Sequence, residues 1–261
     1  MSAERDIWPE GVALHALGTV DSTMTEAARL APALTRPTWV WAARQLAGRG
    51  RRGRAWTDPV GNLAATLVLR PAGAPADVAL YSFVAALALH DALRDVIGPS
   101  PRLAIKWPND LLLNDGKLAG ILLESAGDGR GAPALAIGFG VNLAEAPAPE
   151  GLEPGAHPPV SLRAATGTEI APRDFLPFLA RAFAQWQARV ETEGFAPVRD
   201  AWLARAARLG QPIRARLMTG EETGIFETID PAGGLVLRRP DGRRVSIAAG
   251  DVFFPALPRE V

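Results

Sequence analysis

The sequence has no cysteine among its 261 residues. This absence excludes disulfide bonds, thiolate zinc sites and cysteine nucleophiles. The formal net charge is +0, whereas domains that bind nucleic acid broadly are usually basic. No stretch approaches the ~18 consecutive apolar residues of a membrane-spanning helix, and the first residues lack the basic head and apolar run of a signal peptide. We therefore expect a cytoplasmic globular protein with no membrane partner.

Lysine is almost as scarce as cysteine. Lysine and arginine together number 28, and the only lysines are Lys106 and Lys117. The lysine ammonium is a compact point charge on a flexible stem, whereas the arginine guanidinium is a rigid planar fork. The two lysines therefore indicate positions where a point charge matters, with ordinary surface placement left open as the alternative.

The patterning of apolar residues predicts a body of mixed strands and helices followed by a segment of short strands. Expected elements are strands at 12–20, 38–43, 62–70, 103–107 and 134–143, a hairpin of 111–115 and 117–125 around Asp115-Gly116, and helices at 23–31, 76–97, 161–167, 172–193 and 195–208. Beyond Gly210, five short strands separated by turn residues predict a small barrel.

One loop concentrates positive charge. The segment RQLAGRGRRGRAW, residues 44–56, holds five arginines and three glycines directly after a predicted strand. Glycines let backbone amides approach a ligand closely, and guanidinium groups suit phosphate or carboxylate. We expect a loop that is mobile when empty, because its charges repel one another, and that closes over a polyanion such as a triphosphate. An RNA-binding turn and a solvated basic loop are the alternatives.

A second constellation surrounds the two lysines. In IKWPNDLLLNDGKLAG, a strand carries Lys106, Asn109 and Asp110 follow a proline, and the hairpin returns Lys117 toward the 111–114 end of its partner strand. A carboxylate here can hold Mg²⁺ beside phosphate oxygens. A lysine can neutralise charge that develops at phosphorus. A surface hairpin with solvated charges is the alternative reading.

Weaker signals come from the remaining polar residues. Glycines within GFGVN (138–142) indicate close approach of a ligand or of backbone, and Asn142 could read a nucleobase or sugar. Taken alone, this motif favours ordinary packing. His15, His90 and His157 are scattered, so we expect structural roles for them and no nucleophile triad.

Together these segments resemble the biotin–protein ligases. The shared motifs are DST (21–23), Q-x-x-GRGRRGR-x-W (45–56), KWPND (106–110), KLAGIL (117–122) and GxGxN (138–142). The resemblance implies an α+β fold, with a catalytic domain like that of class II aminoacyl-tRNA synthetases, a mixed sheet with packed helices, over residues 1–208. A small SH3-like β-barrel is implied over residues 209–261.

The family resemblance implies a two-step reaction with biotin, ATP and Mg²⁺. Biotin and ATP would give biotinoyl-5'-AMP and pyrophosphate, and a specific lysine of a biotin carboxyl carrier protein would then take the biotinoyl group and release AMP. No DNA-binding domain precedes the first predicted strand, at residue 12. The resemblance is therefore to the monofunctional ligases, which do not bind DNA directly.

The resemblance also assigns roles to residues. Biotin would be held at its ureido ring by Ser22, Thr23 and Gln45 and at its carboxylate by Lys117. The biotin-binding loop residues Gly48, Arg49, Gly50 and Arg51 would close over the acyl-adenylate, with the two arginines near carboxylate and phosphate. ATP and the adenylate would contact Arg51, Trp56, Lys106, Asn109, Asp110 and Asn142, with Mg²⁺ on Asp110. Lys117, Arg49, Arg51 and Asp110 would act in catalysis. Met24 stands where many family members have asparagine, so a contact expected at this position is in doubt.

Other functions remain open at this point. A lipoate–protein ligase or octanoyltransferase shares the fold and the lysine target. An RNA-binding module would use the arginine loop alone, and a protein that only binds biotin would need neither Lys117 nor Asp110. A free strand edge of the catalytic domain could pair with the carrier protein or with a second copy, which leaves a homodimer open.

Overall fold

A seven-stranded mixed sheet forms the larger part of the molecule. The computed structural model describes residues 8–99, 102–126, 134–150, 152–153 and 155–254. The strands of this sheet are β1 (Ala13–Val20), β2 (Thr38–Gln45), β3 (Leu63–Leu69), β4 (Leu103–Lys106), β5 (Asp110–Leu113), β6 (Gly116–Ala126) and β7 (Ala134–Val141). They lie in the order β1-β2-β3-β7-β6-β5-β4. Strands β1 and β2 are parallel and all other neighbours are antiparallel.

Helices cover both faces of this sheet. They are α1 (Thr23–Leu30), α2 (Pro75–Ala79), α3 (Tyr81–Ile97), α4 (Leu162–Thr166), α5 (Pro172–Glu193) and α6 (Phe195–Leu203). On one face, Val40, Val68 and Ala136 pack against α1. The alternate residues of the same strands pack against α3 and α5 on the other face. Strand β3 is therefore buried throughout, which explains its continuous apolar sequence LAATLVL.

The most apolar helical segment belongs to the core. Residues Pro75–Ile97 are long and apolar enough to cross a membrane by composition, but 67% of the apolar 18-residue window within them is buried inside the protein. Helix α3 packs against α5, α6 and the sheet. The prediction of a buried core helix is confirmed, although a break at Leu80 divides the expected helix into α2 and α3.

The five strands that the sequence predicts beyond Gly210, as a small barrel, form a separate antiparallel sheet. Its members are β8 (Pro212–Leu217), β9 (Gly220–Ile229), β10 (Leu235–Arg238), β11 (Arg244–Ile247) and β12 (Asp251–Phe253), in the order β11-β10-β9-β8-β12. The ring of Trp202 in α6 lies 6.4 Å from that of Phe226 in β9. Trp107 donates a hydrogen bond to the carbonyl oxygen of Gly233 (3.1 Å). One apolar core thus continues from the first sheet into the second.

Two expectations about element ends were wrong. The predicted helix 195–208 ends at Leu203, because the following residues run beside β4 and the N–H of Ile105 donates to the carbonyl oxygen of Arg205 (2.8 Å). The predicted strand 103–107 ends at Lys106. A turn over residues 107–109, with a cis Trp107–Pro108 bond, then starts β5 at Asp110. This unpredicted hairpin sets Asp110 directly opposite Lys106.

Candidate active site

A cleft of about 590 Å³ lies between the larger sheet, the arginine loop and β12 of the C-terminal sheet. Most of the predicted site residues line it: Ser22, Thr23, Gln45, Arg49, Gly50, Arg51, Trp56, Lys106, Asp110, Lys117 and Asn142. They come from β2, β4, β5 and β6, from the start of α1 and from loops that include the arginine loop, so it is the fold that brings them together. Gly48 and Asn109 lie outside the lining of the cleft.

Hydroxyl and carboxamide groups form one end of the cleft. The Ser22 hydroxyl oxygen caps α1 by accepting from the N–H of Met24 (3.2 Å). Thr23 donates to Oε1 of Gln45 twice, from its backbone N–H (2.7 Å) and from its hydroxyl (3.0 Å). The N–H of Gln45 donates in turn to Oδ2 of Asp58 (3.1 Å). These bonds hold the polar side chains in fixed positions at the start of α1 and the end of β2.

Glycines on β6 and β7 form the floor of the cleft. A Cβ atom on Gly140 would lie 2.6 Å from Nε1 of Trp56, and one on Gly120 would lie 3.2 Å from the same ring. A Cβ atom on Gly138 would lie 2.8 Å from Sδ of Met24. The strand glycines therefore make room for a tryptophan ring and a thioether, which is the ordinary packing that the sequence left open as the alternative.

A lysine–carboxylate pair occupies the wall of the cleft. Nζ of Lys117 lies 2.9 Å from Oδ1 of Asp110. Lys117 on β6 is paired with Leu112 on β5, as the predicted hairpin requires. Burial alone would raise the pKa of Asp110, but the ammonium groups of Lys117 and Lys106 outweigh it and hold that pKa below its usual range. Asp110 is therefore an anion at neutral pH and orients the ammonium group of Lys117.

The hairpin turn is shifted by one residue from its prediction. Asn114 and Asp115 form the turn, with φ of 50° and 66°, and Gly116 is the first residue of β6. Asn and Asp tolerate left-handed backbone, so the turn does not need a glycine. Gly116 is required by packing instead, since a Cβ atom there would lie 2.9 Å from Cβ of Val160.

Lys106 lies on the opposite side of Asp110. Burial lowers the pKa of Lys106, and the nearby Lys117 and Arg51 lower it further, against the opposing effect of Asp110. Its Nζ is 5.9 Å from the ring centroid of Phe253 and 5.7 Å from that of Phe254. Lys106 therefore lines the cleft and also contacts aromatic side chains at the end of the C-terminal sheet.

The arginine loop folds as a short hairpin held by acidic residues. Arg49 bridges to Ala55 across the loop, and the N–H of Gly50 donates to the carbonyl oxygen of Arg54 (2.7 Å). Three guanidinium groups donate to the carboxylate of Asp251: those of Arg51, Arg52 and Arg54. Arg49 pairs with Glu124 (2.9 Å), and Arg54 also pairs with Glu153 (3.1 Å). The expectation of uncompensated repulsion within the loop was therefore wrong, because acidic side chains outside it offset the charge.

Asn142 and Asn109 play different parts. Nδ2 of Asn142 donates to the carbonyl oxygen of Val160 (3.2 Å), and its buried Oδ1 has no hydrogen-bond partner among the residues that the structure describes. Asn109 is only 4% exposed and donates to the carbonyl oxygen of Ile121 (2.8 Å). The expectation that Asn109 lines the adenylate pocket is therefore not met. Asn109 braces the turn before Asp110.

Gly48 acts through backbone packing. A Cβ atom on Gly48 would lie 2.6 Å from the carbonyl oxygen of Trp56 and 3.1 Å from Nε2 of Gln45. The N–H of Trp56 donates to the carbonyl oxygen of Gly48 (2.9 Å). The glycine thus closes the base of the loop and leaves space beside the Gln45 amide.

The structure adds residues that the sequence reasoning missed. Asp251 of the C-terminal sheet lines the cleft beside the arginine loop, and no local motif marks it. His157, expected to be structural, also lines the cleft, and its Nδ1–H donates to the carbonyl oxygen of Asp115 (2.8 Å). Burial lowers the pKa of His157. The prediction of a structural role was incomplete for this histidine, because its loop position gave no sign of the cleft.

Comparison with known proteins gives matches over both sheets. Residues 17–142 match the model of the "Biotin/lipoate A/B protein ligase family", and residues 209–254 match that of the "Biotin protein ligase C terminal domain". The biotin--[acetyl-CoA-carboxylase] ligase of Paracoccus denitrificans is 60% identical over 238 residues, which are 91% of this chain and 99% of that protein. The bifunctional ligase/repressor BirA of Bacillus subtilis is 32% identical over 208 residues, and the match spans only 62% of its length.

A solved structure shows the same fold. The biotin protein ligase of Aquifex aeolicus, determined in complex with biotin and ATP, superposes with a TM-score of 0.78 at 23% identity. The superposition covers 92% of this chain and 97% of that one. The predicted architecture, a mixed sheet with packed helices followed by a small SH3-like antiparallel sheet, is therefore confirmed.

Proposed function

Because the chain belongs to the biotin–protein ligase family, we propose that it forms biotinoyl-5'-AMP from biotin and ATP and then transfers biotin to a lysine of a carrier protein. One observation carries this proposal. A single cleft holds a polar end suited to the ureido ring, the Lys117–Asp110 pair and the arginine loop. The carrier is proposed to be the biotin carboxyl carrier protein of acetyl-CoA carboxylase, the substrate named for the Paracoccus relative.

In the first step, a carboxylate oxygen of biotin attacks the α-phosphorus of ATP. The bond from that phosphorus to the bridging oxygen breaks, and pyrophosphate leaves with the electron pair. Negative charge grows on the α-phosphate oxygens, and the ammonium group of Lys117 neutralises it. Asp110 orients Lys117, while Arg49 and Arg51 are proposed to hold the carboxylate and phosphate groups. Lysine suits this position because its charge can move with the reacting atoms.

In the second step, the amine of the carrier lysine attacks the acyl carbon of biotinoyl-5'-AMP. The carbon–oxygen bond to phosphate breaks, AMP leaves with the electron pair, and the nitrogen loses a proton as the amide forms. The enzyme forms no covalent bond in either step, which agrees with a chain that has no cysteine. The arginine loop covers the mixed anhydride and keeps water from it.

The polar end of the cleft favours biotin over lipoate or octanoate. The hydroxyls of Ser22 and Thr23 and the carboxamide of Gln45 are held in place around one small volume. A ureido ring offers both donors and acceptors to these groups. A dithiolane ring or an alkyl chain would leave them unpaired, and sites built to hydrogen-bond a ligand reject analogues that cannot reciprocate.

The site suits Mg²⁺ as an ion shared with the substrate. The described residues contain no cluster of three or more His, Cys, Asp or Glu that could hold a metal alone. Mg²⁺ is usually bound by one or two carboxylates together with substrate phosphates. We propose that Asp110, which lines the cleft, holds it. When bound, the ion would neutralise charge on the triphosphate.

The C-terminal sheet and one strand edge are proposed to meet the larger ligands. Asp251, Val252 and Phe253 line the cleft, and we propose that β12 caps the nucleotide. Strand β1 forms one edge of the larger sheet, where a strand of the carrier or of a second copy could pair. We propose the cytoplasm as the compartment of the protein. Direct DNA binding is not part of the proposal.

The test is biotin-dependent exchange of pyrophosphate into ATP. Purified protein with Mg²⁺ is given biotin, lipoate, octanoate or no acid, and Lys117→Ala is measured in parallel. We expect exchange with biotin only, and a loss of about 10²–10³-fold in the variant. Exchange that requires lipoate would move the protein to the lipoate ligases. No exchange with any acid, with salt-sensitive RNA binding instead, would defeat the proposal.

A further inference from the structure

A buried hydroxyl that the chemistry above does not use lies behind the polar end of the cleft. Thr66 on β3 is 0% exposed, and its hydroxyl oxygen lies 2.9 Å from that of Thr23. Thr23 in turn contacts Oε1 of Gln45 through both its N–H and its hydroxyl. The three side chains thus form a line of hydrogen bonds from the core to the cleft.

The backbone of Thr23 fixes the direction of every bond in this line. A backbone N–H can only donate, so the Gln45 atom 2.7 Å away must be the carbonyl oxygen and not the amide nitrogen. The Thr23 hydroxyl, 3.0 Å from the same oxygen, must therefore donate its hydrogen to it. Since that hydrogen is used, the hydroxyl of Thr66 must be the donor in its contact with Thr23.

This direction determines what the cleft offers a ligand. Oε1 of Gln45 accepts two hydrogen bonds, which occupy both of its lone pairs. The amide nitrogen therefore keeps both of its hydrogens for the ligand, and it lies beside Gly48, where no side chain intervenes. The Thr23 oxygen keeps one lone pair. The cleft is therefore offered the hydrogens of the Gln45 amide as donors and the Thr23 oxygen as one acceptor. The donors complement the carbonyl of a ureido ring, and the acceptor complements one of its N–H groups.

From this geometry we infer that Thr66 is a positioning residue for biotin: its hydroxyl holds Thr23 and Gln45 in the one orientation that presents the Gln45 amide to the ureido oxygen. The inference rests on the proposed function, because it takes a ureido ring as the ligand. Without the Thr66 hydroxyl, the oxygen of the buried Thr23 would lose a donor. Thr23 could then rotate away from Oε1, and the Gln45 amide would lose its fixed direction.

The test compares Thr66→Val with Thr66→Ser. Valine keeps the size of threonine but has no hydroxyl, whereas serine keeps the hydroxyl. In biotin-dependent ATP–pyrophosphate exchange, we expect Thr66→Val to raise the KM for biotin about ten-fold. This factor corresponds to the net contribution of one buried hydrogen bond to binding. The kcat and the KM for ATP should not change, and Thr66→Ser should resemble the wild type. Calorimetric titration with biotin alone should show the same ten-fold loss of affinity.

A second ligand separates positioning from general damage. Dethiobiotin retains the ureido group but lacks the thioether, so its binding should weaken in Thr66→Val by the same factor as that of biotin. A KM for biotin that is unchanged in Thr66→Val, or equally raised in Thr66→Ser, would overturn the inference. So would an equal fall in kcat and ATP affinity. If Thr66→Val fails to fold, Thr66→Ala removes the same hydroxyl with a smaller side chain.

Failure of this inference and failure of the proposed function give different results. Wild-type protein that neither binds biotin nor exchanges pyrophosphate would reject the proposed function, and the role of Thr66 toward a ureido ring with it. Wild-type protein that does both, with no separation between Thr66→Val and Thr66→Ser, would reject the role of Thr66 alone.

Discussion

Oδ2 of Asp251 lies 2.7 Å from Nη1 of Arg52, across 199 positions of the sequence. The same carboxylate accepts from Arg51 (3.3 Å) in the loop and from Arg216 (3.3 Å) in the C-terminal sheet. Burial alone would raise the pKa of Asp251, but the guanidinium groups around it outweigh that effect and keep the pKa below its usual range. A single carboxylate thus joins the C-terminal sheet to the loop that covers the cleft.

Neutralising this carboxylate should release the arginine loop. In Asp251→Asn the guanidinium groups of Arg51, Arg52 and Arg54 lose their shared counter-charge and repel one another. Trypsin cleaves after arginine, and cleavage requires local opening of the backbone. We expect loop cleavage about three- to ten-fold faster than in the wild type, because each charge-assisted hydrogen bond contributes to closing the loop. Mass spectrometry of timed digests identifies the cleaved bonds.

The control for this measurement is Asp241→Asn. Asp241 is a half-exposed carboxylate in a turn of the same sheet, and it pairs with Arg243 and not with the loop. Its substitution should leave loop cleavage unchanged, and added ATP with biotin should slow cleavage in every variant. Equal cleavage of the loop in Asp251→Asn and wild type would show that Asp251 does not hold it.

A second prediction concerns the contact of Trp56 with the glycine floor. In Gly140→Ala the new Cβ atom would lie 2.6 Å from Nε1 of Trp56, so the ring or the strand must move. Overpacking of this kind costs about 1–3 kcal/mol. We expect a lower free energy of unfolding in urea, a changed tryptophan fluorescence and a higher KM for ATP. The matched control is Gly18→Ala on β1, where a Cβ atom meets nothing within 4 Å.

Removing the ring should relieve this strain. In a Trp56→Ala background the added methyl group of Gly140→Ala has space, so the same substitution should cost much less stability than in the wild type. A double-mutant cycle in urea measures the coupling. Equal costs in the two backgrounds would mean that the strain arises elsewhere in the strand.

A third prediction follows from the carboxylate that supports Gln45. Burial raises the pKa of Asp58 to about 6, although its hydrogen bond from the N–H of Gln45 opposes the shift. Between about pH 4 and pH 6, the folded protein holds a proton on Asp58 that the unfolded chain has lost. Unfolding then releases a proton, so the free energy of unfolding should fall as pH rises through this window.

The free energy of unfolding should fall by about 1–2 kcal/mol across this pH window, after allowance for solvent screening of a partly exposed group. Asp58→Asn cannot titrate and keeps an acceptor for the N–H of Gln45, so its stability should lack this dependence on pH. Urea unfolding at pH 4.5, 5.5 and 6.5 measures the difference. Asp95→Asn, at a half-exposed carboxylate paired with Arg181, serves as the control. If the free energy of unfolding depends on pH in the same way in Asp58→Asn and in the wild type, the dependence does not come from Asp58.

The sequence predicted the fold well where local pattern decides the structure. The apolar segment of β3, the buried α3 and the five C-terminal strands all lie where periodicity and turn residues placed them. The hairpin of β5 and β6 was predicted from its turn signal, and its register brings Lys117 beside Asp110. Its exact turn was missed because Gly116 is explained by contact with Val160, which sequence pattern does not reveal.

The site was predicted less completely because much of it depends on distant contacts. The motifs identified Ser22, Thr23, Gln45 and Lys117, all of which line the cleft. Asp251 could not be predicted, since its role arises from guanidinium groups at the other end of the chain. Thr66 is hidden in an apolar strand, where a hydroxyl gives no signal until its partner is known. Asn109 was misplaced because the sequence gives the order of side chains but not the side of a turn to which each one points.

The last prediction concerns Met24, which stands where many family members have asparagine. Its side chain is 4% exposed and packs with Ala27, Val40 and Val68 beside Gly138. An asparagine here would bury a carboxamide among apolar groups, at a cost of about 1–3 kcal/mol. We therefore expect Met24→Asn to destabilise the protein without lowering the KM for biotin, since Thr23 and Gln45 already form the polar end. Met24→Leu, which conserves volume, should cost less than about 1.5 kcal/mol. A Met24→Asn protein of wild-type stability with tighter biotin binding would contradict this prediction. It would show that the usual asparagine contact can be restored, and that Met24 lowers the affinity for biotin.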